Sequence, residues 1–322
     1  MSGPETPSPD RRAPGAGDGR TGPVPRPAEP AETPEEAART GTLRMLVSNR
    51  VTAAGLLILV VVLLLAVLGR WIAPYGANDI DVVNALQPPS GAHLFGTDEL
   101  GRDVFSRVVL SARISLTVGL VAVGIALVVG VVLGLVAGFF GGWADTVIMR
   151  SADVLFAFPI LLLAMAIVAV LGPGLTTAMI AIGVVYTPIF ARITRASTLA
   201  VREELYVTAS RSIGASDGLI LRRHVLPNIM GPITVQTSLS LAFAILSEAA
   251  LSFLGLGVQP PEPSWGRMLY DAQAFIYDAW WMSVFPGLAI FCTVLAFNLV
   301  GDGMRDVLDP RQRTADEIRR SA

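Results

Sequence analysis

The sequence predicts an all-α polytopic membrane protein. Its 322 residues are 52% hydrophobic and only 16% charged, which is too apolar for a soluble domain of this length. Several long runs contain no charged residue, and arginines cluster between these runs. Together these observations predict helices that cross a bilayer, joined by charged segments on its two sides.

The first membrane span follows a polar tail. Residues 1–42 are rich in Pro, Gly, Ala, Glu and Arg and almost free of large apolar side chains, which predicts a disordered cytoplasmic tail. The apolar run 51–69 lies between Arg50 and Arg70. At about 1.5 Å per residue it covers roughly 28 Å, which is enough to cross the hydrocarbon core. It begins too far along the chain for a secretory signal peptide.

Five further spans are predicted from the uncharged runs. Residues 114–144 give the second span. The run 154–191 is too long for one crossing, and Gly172-Pro173-Gly174 divides it into the third and fourth spans. The fifth and sixth are predicted at 232–254 and 279–301.

The arginine distribution predicts the orientation of these spans. All 24 basic residues are arginine, six of them between Arg192 and Arg223 and five more after the last span. Basic loops stay in the cytoplasm, so both termini and the loop between the fourth and fifth spans are predicted there. The predicted organisation is a membrane domain at 43–305 and a cytoplasmic tail at 306–322. Because the chain has no lysine, it cannot form a P-loop ATPase site.

The cytoplasmic loop 196–228 is helix-prone. Its sequence predicts two short helices, broken at Gly214 and stopped at Pro227. A structured loop on the cytoplasmic side of a membrane protein indicates a docking partner inside the cell.

This loop resembles the Glu-Ala-Ala loop of ATP-binding-cassette importer permeases. Thr208-Ala209-Ser210, Gly214, His224 and Leu226-Pro227 have the family spacing. Thr208 stands where the family has Glu, and His224 stands where many members carry Ile. Glu203 and Glu204 lie upstream and out of register.

Four other segments resemble the dipeptide, oligopeptide and nickel branch of that family, and with the loop the likeness covers roughly residues 43–312. They are 93–107, 153–159, 247–266 and 298–311. The resemblance implies a type I importer permease fold with six transmembrane helices in a bacterial inner membrane. It implies a transport function, the import of dipeptides or oligopeptides, with nickel and glutathione as alternatives.

The resemblance also implies the partners and the site. A second homologous permease, one or two ATPase subunits that bind ATP and Mg, and an extracytoplasmic binding protein would complete the importer, with membrane lipid around it. No cofactor in this chain and no nucleic acid are implied. The residues implied for contact with the ATPase subunit are Glu204, Tyr206, Thr208, Ala209, Ser210, Arg211, Gly214, Ala215, His224, Leu226 and Pro227.

Five charged residues outside the loop have two interpretations each. Glu248 lies within the fifth span, where a carboxylate costs about 3 kcal/mol unless paired or wetted. It either faces the translocation path or forms a buried hydrogen-bonded anchor between helices. Asp98, Glu99, Arg102 and Asp103 precede the second span. They either place charge at a helix N-terminus or form part of a docking face for the binding protein.

Two other function classes are consistent with parts of the sequence. Asp302 at a span end, together with Asp271 or Asp278, would supply the catalytic pair of an intramembrane aspartyl protease. An ion-driven secondary transporter would need charges at mid-bilayer, and Glu248 is the one candidate. The single cysteine, Cys292, excludes an intramolecular disulfide, and no metal site is predicted.

Overall fold

The structure, a computed structural model, describes residues 49–308. The predicted tail 1–42 and all but the first residues of the predicted tail 306–322 lie outside the described residues. Within them the regular elements are helical, apart from one isolated β-bridge. The α-helices are α1 (Arg50–Ile72), α2 (Val104–Phe140), α3 (Gly142–Phe156), α4 (Ile160–Leu171), α5 (Leu175–Arg202), α6 (Leu205–Ser212), α7 (Asp217–Ile220), α8 (Leu226–Phe253), α9 (Trp265–Ala272) and α10 (Trp281–Leu308).

Five helical stretches in the described part are long and apolar enough to cross a membrane. They are α1, α2, α5, the continuous stretch Asp217–Phe253 that contains α7 and α8, and α10. The pair α3 and α4 passes the same test together but is bent by 92°. The predicted all-α membrane fold is therefore confirmed, with six spans when the bent pair counts as one crossing.

The second span begins earlier than the uncharged run indicated. α2 starts at Val104 and so includes Arg107, which is only 3% exposed. The Arg107 guanidinium lies 3.5 Å from Asp98 and 3.9 Å from Asp271. Because this charge is paired with carboxylates, it lies inside a helix that a charge-free criterion cuts short.

The third span is bent, which the sequence analysis did not predict. Helix α3 begins at Gly142, within the predicted second span, and ends at Phe156. α4 begins directly after Pro159. Proline has no N–H to donate and disfavours helical geometry in the residue before it, so the helix breaks at Phe158 and Pro159.

The fourth span continues beyond its last uncharged residue. α5 runs to Arg202, and its first two arginines pair with α3. Arg192 contacts Asp153 at 2.7 Å, and Arg195 contacts Asp145 at 2.6 Å. These ion pairs attach α3, the half of the bent span that precedes Pro159, to α5.

The most extensive helix pair is α2 with α5. Gly130, Gly134 and Gly138 recur every four residues on α2 and so lie on one face. A Cβ on Gly134 would lie 2.5 Å from Cβ of Thr194 and 2.6 Å from the carbonyl oxygen of Ala191. The two backbones therefore approach too closely for any side chain at this position, which is how small residues join helices in membranes.

A separate hydrophobic cluster forms at the end of the bundle where α2 ends and α8 begins. It joins the segment between α5 and α8, residues 203–225, to the spanning helices; this segment is called the central loop below. The buried members of the cluster are Phe139, Val207, Ile220, Val225, Ile229 and Ile233.

Candidate functional site

The central loop is held on the bundle by two buried side chains. Val207 is the buried residue of α6, and Ile220 is the buried residue of α7. Both belong to the same buried cluster as Phe139 at the end of α2. Arg202 adds a polar attachment, since its Nη1 donates hydrogen bonds to the carbonyl oxygens of Gly138 and Phe139 at 3.1 and 3.2 Å. Both short helices therefore have fixed positions.

Gly214 ends α6 in a left-handed conformation, with φ at +83°. Its N–H donates to the carbonyl of Arg211, and the N–H of Ala215 donates to the carbonyl of Ser210, both at 3.1 Å. This pair of bonds is the Schellman motif, in which glycine is favoured because a Cβ strains the positive φ. A Cβ here would meet nothing within 4 Å among residues 49–308. The backbone geometry thus explains this glycine, and a close approach to a partner stays a prediction.

The prediction that Pro227 stops the loop is wrong. The five residues Leu221–Val225 form a π-helical turn, with the N–H of Leu226 bonded to the carbonyl of Leu221. Pro227 follows directly after this π-turn, and its missing N–H interrupts the backbone hydrogen bonding there without ending the helix. The helical stretch Asp217–Phe253 is therefore continuous. The second half of the central loop is an extension of a spanning helix.

Three of the predicted loop residues contact one another. Ser210 Oγ lies 3.3 Å from Nε2 of His224 and donates to the carbonyl of Tyr206 at 2.8 Å. The Tyr206 and His224 rings lie 5.9 Å apart. These contacts join α6 to the π-turn.

The other predicted loop residues occupy different places. Glu204 is the N-cap residue of α6, without a side-chain cap bond. Thr208 and Ala209 are exposed, as is Pro227. Arg211 is exposed and places its guanidinium 5.4 Å from the centre of the Phe139 ring. Ala215 and Leu226 are partly buried against the cluster around Phe139.

The sequence analysis missed the most exposed apolar side chains of the loop. Leu205 and Ile213, at either end of α6, are each 86% exposed, and Leu219 of α7 is 48% exposed. Large aliphatic side chains grouped on a polar loop mark an interaction surface. The signal was present in α6, which has apolar residues at both ends although only Val207 reaches the core.

Three arginines accompany this apolar surface. Arg211, Arg222 and Arg223 are exposed, and none forms an ion pair with a residue in the range 49–308. An apolar patch with a basic rim favours a partner surface that carries carboxylates.

The predicted docking residues Asp98 and Asp103 lie inside the loop between α1 and α2. Asp103 caps α2 by accepting the N–H of Ser106 at 2.7 Å and also contacts His93 at 2.9 Å. Asp98 accepts the N–H of Arg102 at 2.9 Å and its Nε at 2.6 Å. The two aspartates are 3% and 2% exposed and so offer little surface for docking, and their contact with a binding protein stays a prediction. The helix-capping interpretation fits Asp103.

Glu99 and Arg102 remain partly exposed. They form an ion pair at 2.8 Å, and Oε2 of Glu99 has no hydrogen-bond partner in the described residues. Burial, together with the neighbouring Asp98, raises the pKa of the Glu99 carboxyl above its ordinary value. For these two residues, contact with a binding protein stays a prediction.

Glu248 is fully buried in α8. Its Oε1 accepts a hydrogen bond from Ser252 at 2.8 Å, and its Oε2 has no partner within the described chain. The side chain therefore does not face an open path in this structure.

The aspartates that prompted a protease do not form a pair. Asp271 contacts Arg267 at 2.9 Å, whereas Asp302 is exposed near the end of α10. Asp271 precedes α10, whereas Asp302 lies 21 residues beyond its first residue, Trp281, which is about 30 Å along the helix axis. No group of three potential metal ligands occurs among residues 49–308.

Comparison with known families identifies the kind of protein. The family described as "Binding-protein-dependent transport system inner membrane component" matches residues 130–314. This chain belongs to that family. The N-terminal transmembrane domain of oligopeptide transport permease C matches residues 40–89 of the permease.

Curated relatives cover most of the permease. It is 52% identical over 261 residues to the glutathione transport system permease proteins GsiD of Escherichia coli O6:K15:H31, Shigella boydii serotype 4 and Shigella dysenteriae serotype 1. The match covers 81% of the permease and 86% of each relative. The permease is therefore an importer subunit of the peptide and nickel branch and not an enzyme. The protease and secondary-transporter interpretations are wrong.

Solved structures show the same fold. An inward-facing MetNI methionine ABC transporter matches with a TM-score of 0.52 and 18% sequence identity, covering 63% of the permease and 96% of that chain. A second crystal form gives the same TM-score, with 64% and 97% covered. At this identity the likeness supports the type I importer permease fold alone.

Proposed function

We propose that the central loop is the surface on which a separate ATP-hydrolysing subunit docks, and that it passes the motion of that subunit to the spanning helices. The observation that carries this proposal is the pair Leu205 and Ile213, each 86% exposed at the ends of α6. Burial of two such side chains at an interface stabilises the complex by about 1.5–3 kcal/mol each. The exposed arginines fit an acidic rim on the partner.

The connection of the loop to α8 supports transmission of motion. Asp217–Phe253 is one helical stretch of 37 residues, which is about 55 Å long. α6 is attached to the same stretch through Ser210 and His224. A displacement of the loop would therefore be passed to α8 through this helical stretch and would shift the bundle between its outward-facing and inward-facing states.

The remaining parts of the importer follow from this function. Two ATPase domains, on one or two subunits, bind ATP and Mg, a second homologous permease lines the path with this one, and a binding protein delivers substrate on the opposite side. The arginine-rich loop and the arginine-rich end of the chain support the proposal that both termini lie on the cytoplasmic side of a bacterial inner membrane. The family description, which names binding-protein dependence and the inner membrane, supports this arrangement.

The substrate in this proposal is a short peptide, and glutathione, itself a tripeptide, is the first candidate. The name of the relatives at 52% identity supports glutathione. Di- and oligopeptides and nickel are the alternatives that the same branch transports.

Reconstituted uptake tests the proposal. The permease is purified with its cognate second permease, ATPase subunits and binding protein, and inserted into proteoliposomes. Uptake of labelled glutathione, a dipeptide and Ni²⁺ is compared with ATP inside and with a non-hydrolysable analogue. We expect glutathione uptake that requires ATP hydrolysis and that an excess of Ni²⁺ does not suppress. Uptake of Ni²⁺ alone would contradict the peptide assignment, and uptake by the isolated chain without ATP would contradict ATPase coupling.

A further inference from the structure

The segment Gly255–Ala272, which follows α8, is seated inside the bundle. Its residue Trp265, the first of α9, is 2% exposed. The indole Nε1 of Trp265 donates to the carbonyl oxygen of Val108 in α2 at 2.9 Å. Residues 255–272 are called the α8–α9 segment below. This contact shows that the segment reaches between α8 and α2.

Three buried serines hold the backbone of this segment. Ser115 lies on α2, Ser252 on α8, and Ser264 at the N-cap of α9, and each is 0% exposed. In each case the serine Oγ accepts a backbone N–H of the α8–α9 segment. The bonds are Val258 to Ser252 at 3.0 Å, Trp265 to Ser115 at 3.5 Å and Arg267 to Ser264 at 3.2 Å.

The same three hydroxyls surround the carboxyl group of Glu248. Ser252 donates to its Oε1 at 2.8 Å. The side chains of Ser115 and Ser264 also face this carboxyl group. A serine whose oxygen accepts an N–H still has its own proton to donate, and a carboxylate offers several acceptor positions. Glu248 therefore accepts the hydroxyl of Ser252 in the structure, and its second carboxyl oxygen is left as an acceptor for the serines of the other two segments.

This arrangement explains why a carboxyl group lies where burial is costly. Removing Glu248 would leave the buried hydroxyl proton of Ser252 without its acceptor. Ser252 would then turn to another acceptor and loosen its hold on the N–H group of Val258.

We propose that Glu248 is a positioning residue for transport, which fixes the α8–α9 segment to the end of α8 so that movement of α8 is passed to it. This inference rests on the proposed function of the central loop. Glu248 and Asp217 belong to one helical stretch, 31 residues apart, which is about 45 Å along the helix axis. A displacement that begins at the central loop therefore reaches Glu248 along one helical stretch, which contains the π-turn Leu221–Val225 and Pro232 as the places where it can bend.

Hydrogen exchange of the assembled complex tests the positioning role. Peptides that cover residues 255–267 are compared between wild type, Glu248→Ala, Glu248→Gln and the control Glu262→Ala, which removes an exposed carboxylate from the same segment. We expect Glu248→Ala to exchange about five- to tenfold faster, corresponding to roughly 1–1.4 kcal/mol of lost hydrogen bonding. We expect Glu248→Gln, which keeps a carbonyl acceptor, to exchange at an intermediate rate. We expect Glu262→Ala to exchange at the wild-type rate. Unchanged exchange in Glu248→Ala would overturn the proposal.

The ratio of substrate imported to ATP hydrolysed tests the role in transport. We expect Glu248→Ala to retain ATP hydrolysis but to import at least fivefold less substrate per ATP, with partial rescue in Glu248→Gln. A ratio equal to that of wild type would overturn the proposal. Where Glu248→Ala does not assemble, Ser264→Ala removes one hydroxyl from the set and is expected to show the same changes at smaller size; wild-type exchange and ratio in Ser264→Ala would likewise count against it. An absence of ATP-driven uptake in wild type would contradict the proposed function, and the exchange comparison would still decide the placement by Glu248.

Discussion

Two regions of the molecule differ in how much of their apolar surface this chain buries. They are the contact between α2 and α5 and the surface of the central loop. Along the α2–α5 contact, glycines such as Gly134 press against the backbone of the facing helix. On the central loop, Leu205 and Ile213 project away from the chain. The first region is complete within this polypeptide and supplies its stability. The second is an exposed apolar surface, which indicates that a partner covers it.

The arginines show the same division. Arg107, Arg192 and Arg195 each contact a carboxylate of another segment. Arg222 and Arg223 on the central loop have no such contact among the described residues. The same residue type therefore stabilises the bundle in one region and remains available for recognition in the other.

The largest expected effect comes from breaking the α2–α5 contact. Gly134→Leu would force a side chain against Thr194 and the carbonyl of Ala191. We expect a loss of about 3 kcal/mol or more and little folded protein, measured as monodisperse protein after detergent extraction and as a thermal midpoint. Gly124→Leu is the control on the same helix, because a Cβ at Gly124 meets nothing within 4 Å. Equal stability of the two variants would show that the contact does not hold the fold.

A charge on the central loop is expected to weaken docking and leave the fold intact. In Ile213→Asp, the substituted side chain would carry a charge into the proposed interface. We expect the ATPase subunit to bind about 30-fold more weakly, which corresponds to roughly 2 kcal/mol, with an unchanged thermal midpoint of the isolated chain.

The matched control for this variant is Ile80→Asp, since Ile80 is 61% exposed in the loop between α1 and α2. It is expected to leave ATPase binding unchanged. A similar loss in both variants, as measured by co-purification and titration, would remove the distinction between the two surfaces.

The conformation at Gly214 is expected to have an intermediate effect. Gly214→Val places a branched side chain at a φ of +83°, which costs about 1–2 kcal/mol and loosens the end of α6. We expect transport to fall about tenfold while membrane insertion is retained. Gly214→Asn tolerates the left-handed geometry and is expected to transport well. Gly218→Ala is the control. Normal uptake in Gly214→Val would argue against a rigid α6 end.

The smallest expected effect concerns Glu99 and pH. Its raised pKa means that the folded state favours the protonated carboxyl. The corresponding stability is present below the ordinary glutamate pKa and is lost as pH rises through the higher folded value. We expect Glu99→Gln to raise the thermal midpoint slightly near pH 7 and not near pH 4. A difference of equal size at both pH values would contradict the burial argument.

Much of the fold could be predicted from the sequence, and the features that could not be predicted have physical reasons. Uncharged runs located the spans but misplaced the start of α2, since α2 also contains Arg113, which cuts the run, and Arg107, which is paired with Asp98 and with Asp271 from a distant segment. The Gly-rich spacing on α2 was visible in the sequence, but its partner helix was not. Pro227 was read as a stop because the π-turn before it has no local signal.

The candidate site was only partly predictable for a related reason. The motif residues around Gly214 were found by spacing. The exposure of Leu205 and Ile213 depends on Val207 turning into the buried cluster that includes Phe139, and the members of this cluster are far apart in the sequence. The contact of Trp265 with the carbonyl oxygen of Val108 likewise requires the α8–α9 segment to fold back between α8 and α2.

Cross-linking from position 213 tests the central claim most directly. A single cysteine is placed there by Ile213→Cys in a Cys292→Ser background, and the assembled complex is treated with a short thiol-directed photo-cross-linker in the membrane. The account predicts an adduct with the ATPase subunit, which an Ile80→Cys control does not give. Cross-links from position 213 only to lipid, or to a protein on the binding-protein side of the membrane, would contradict it.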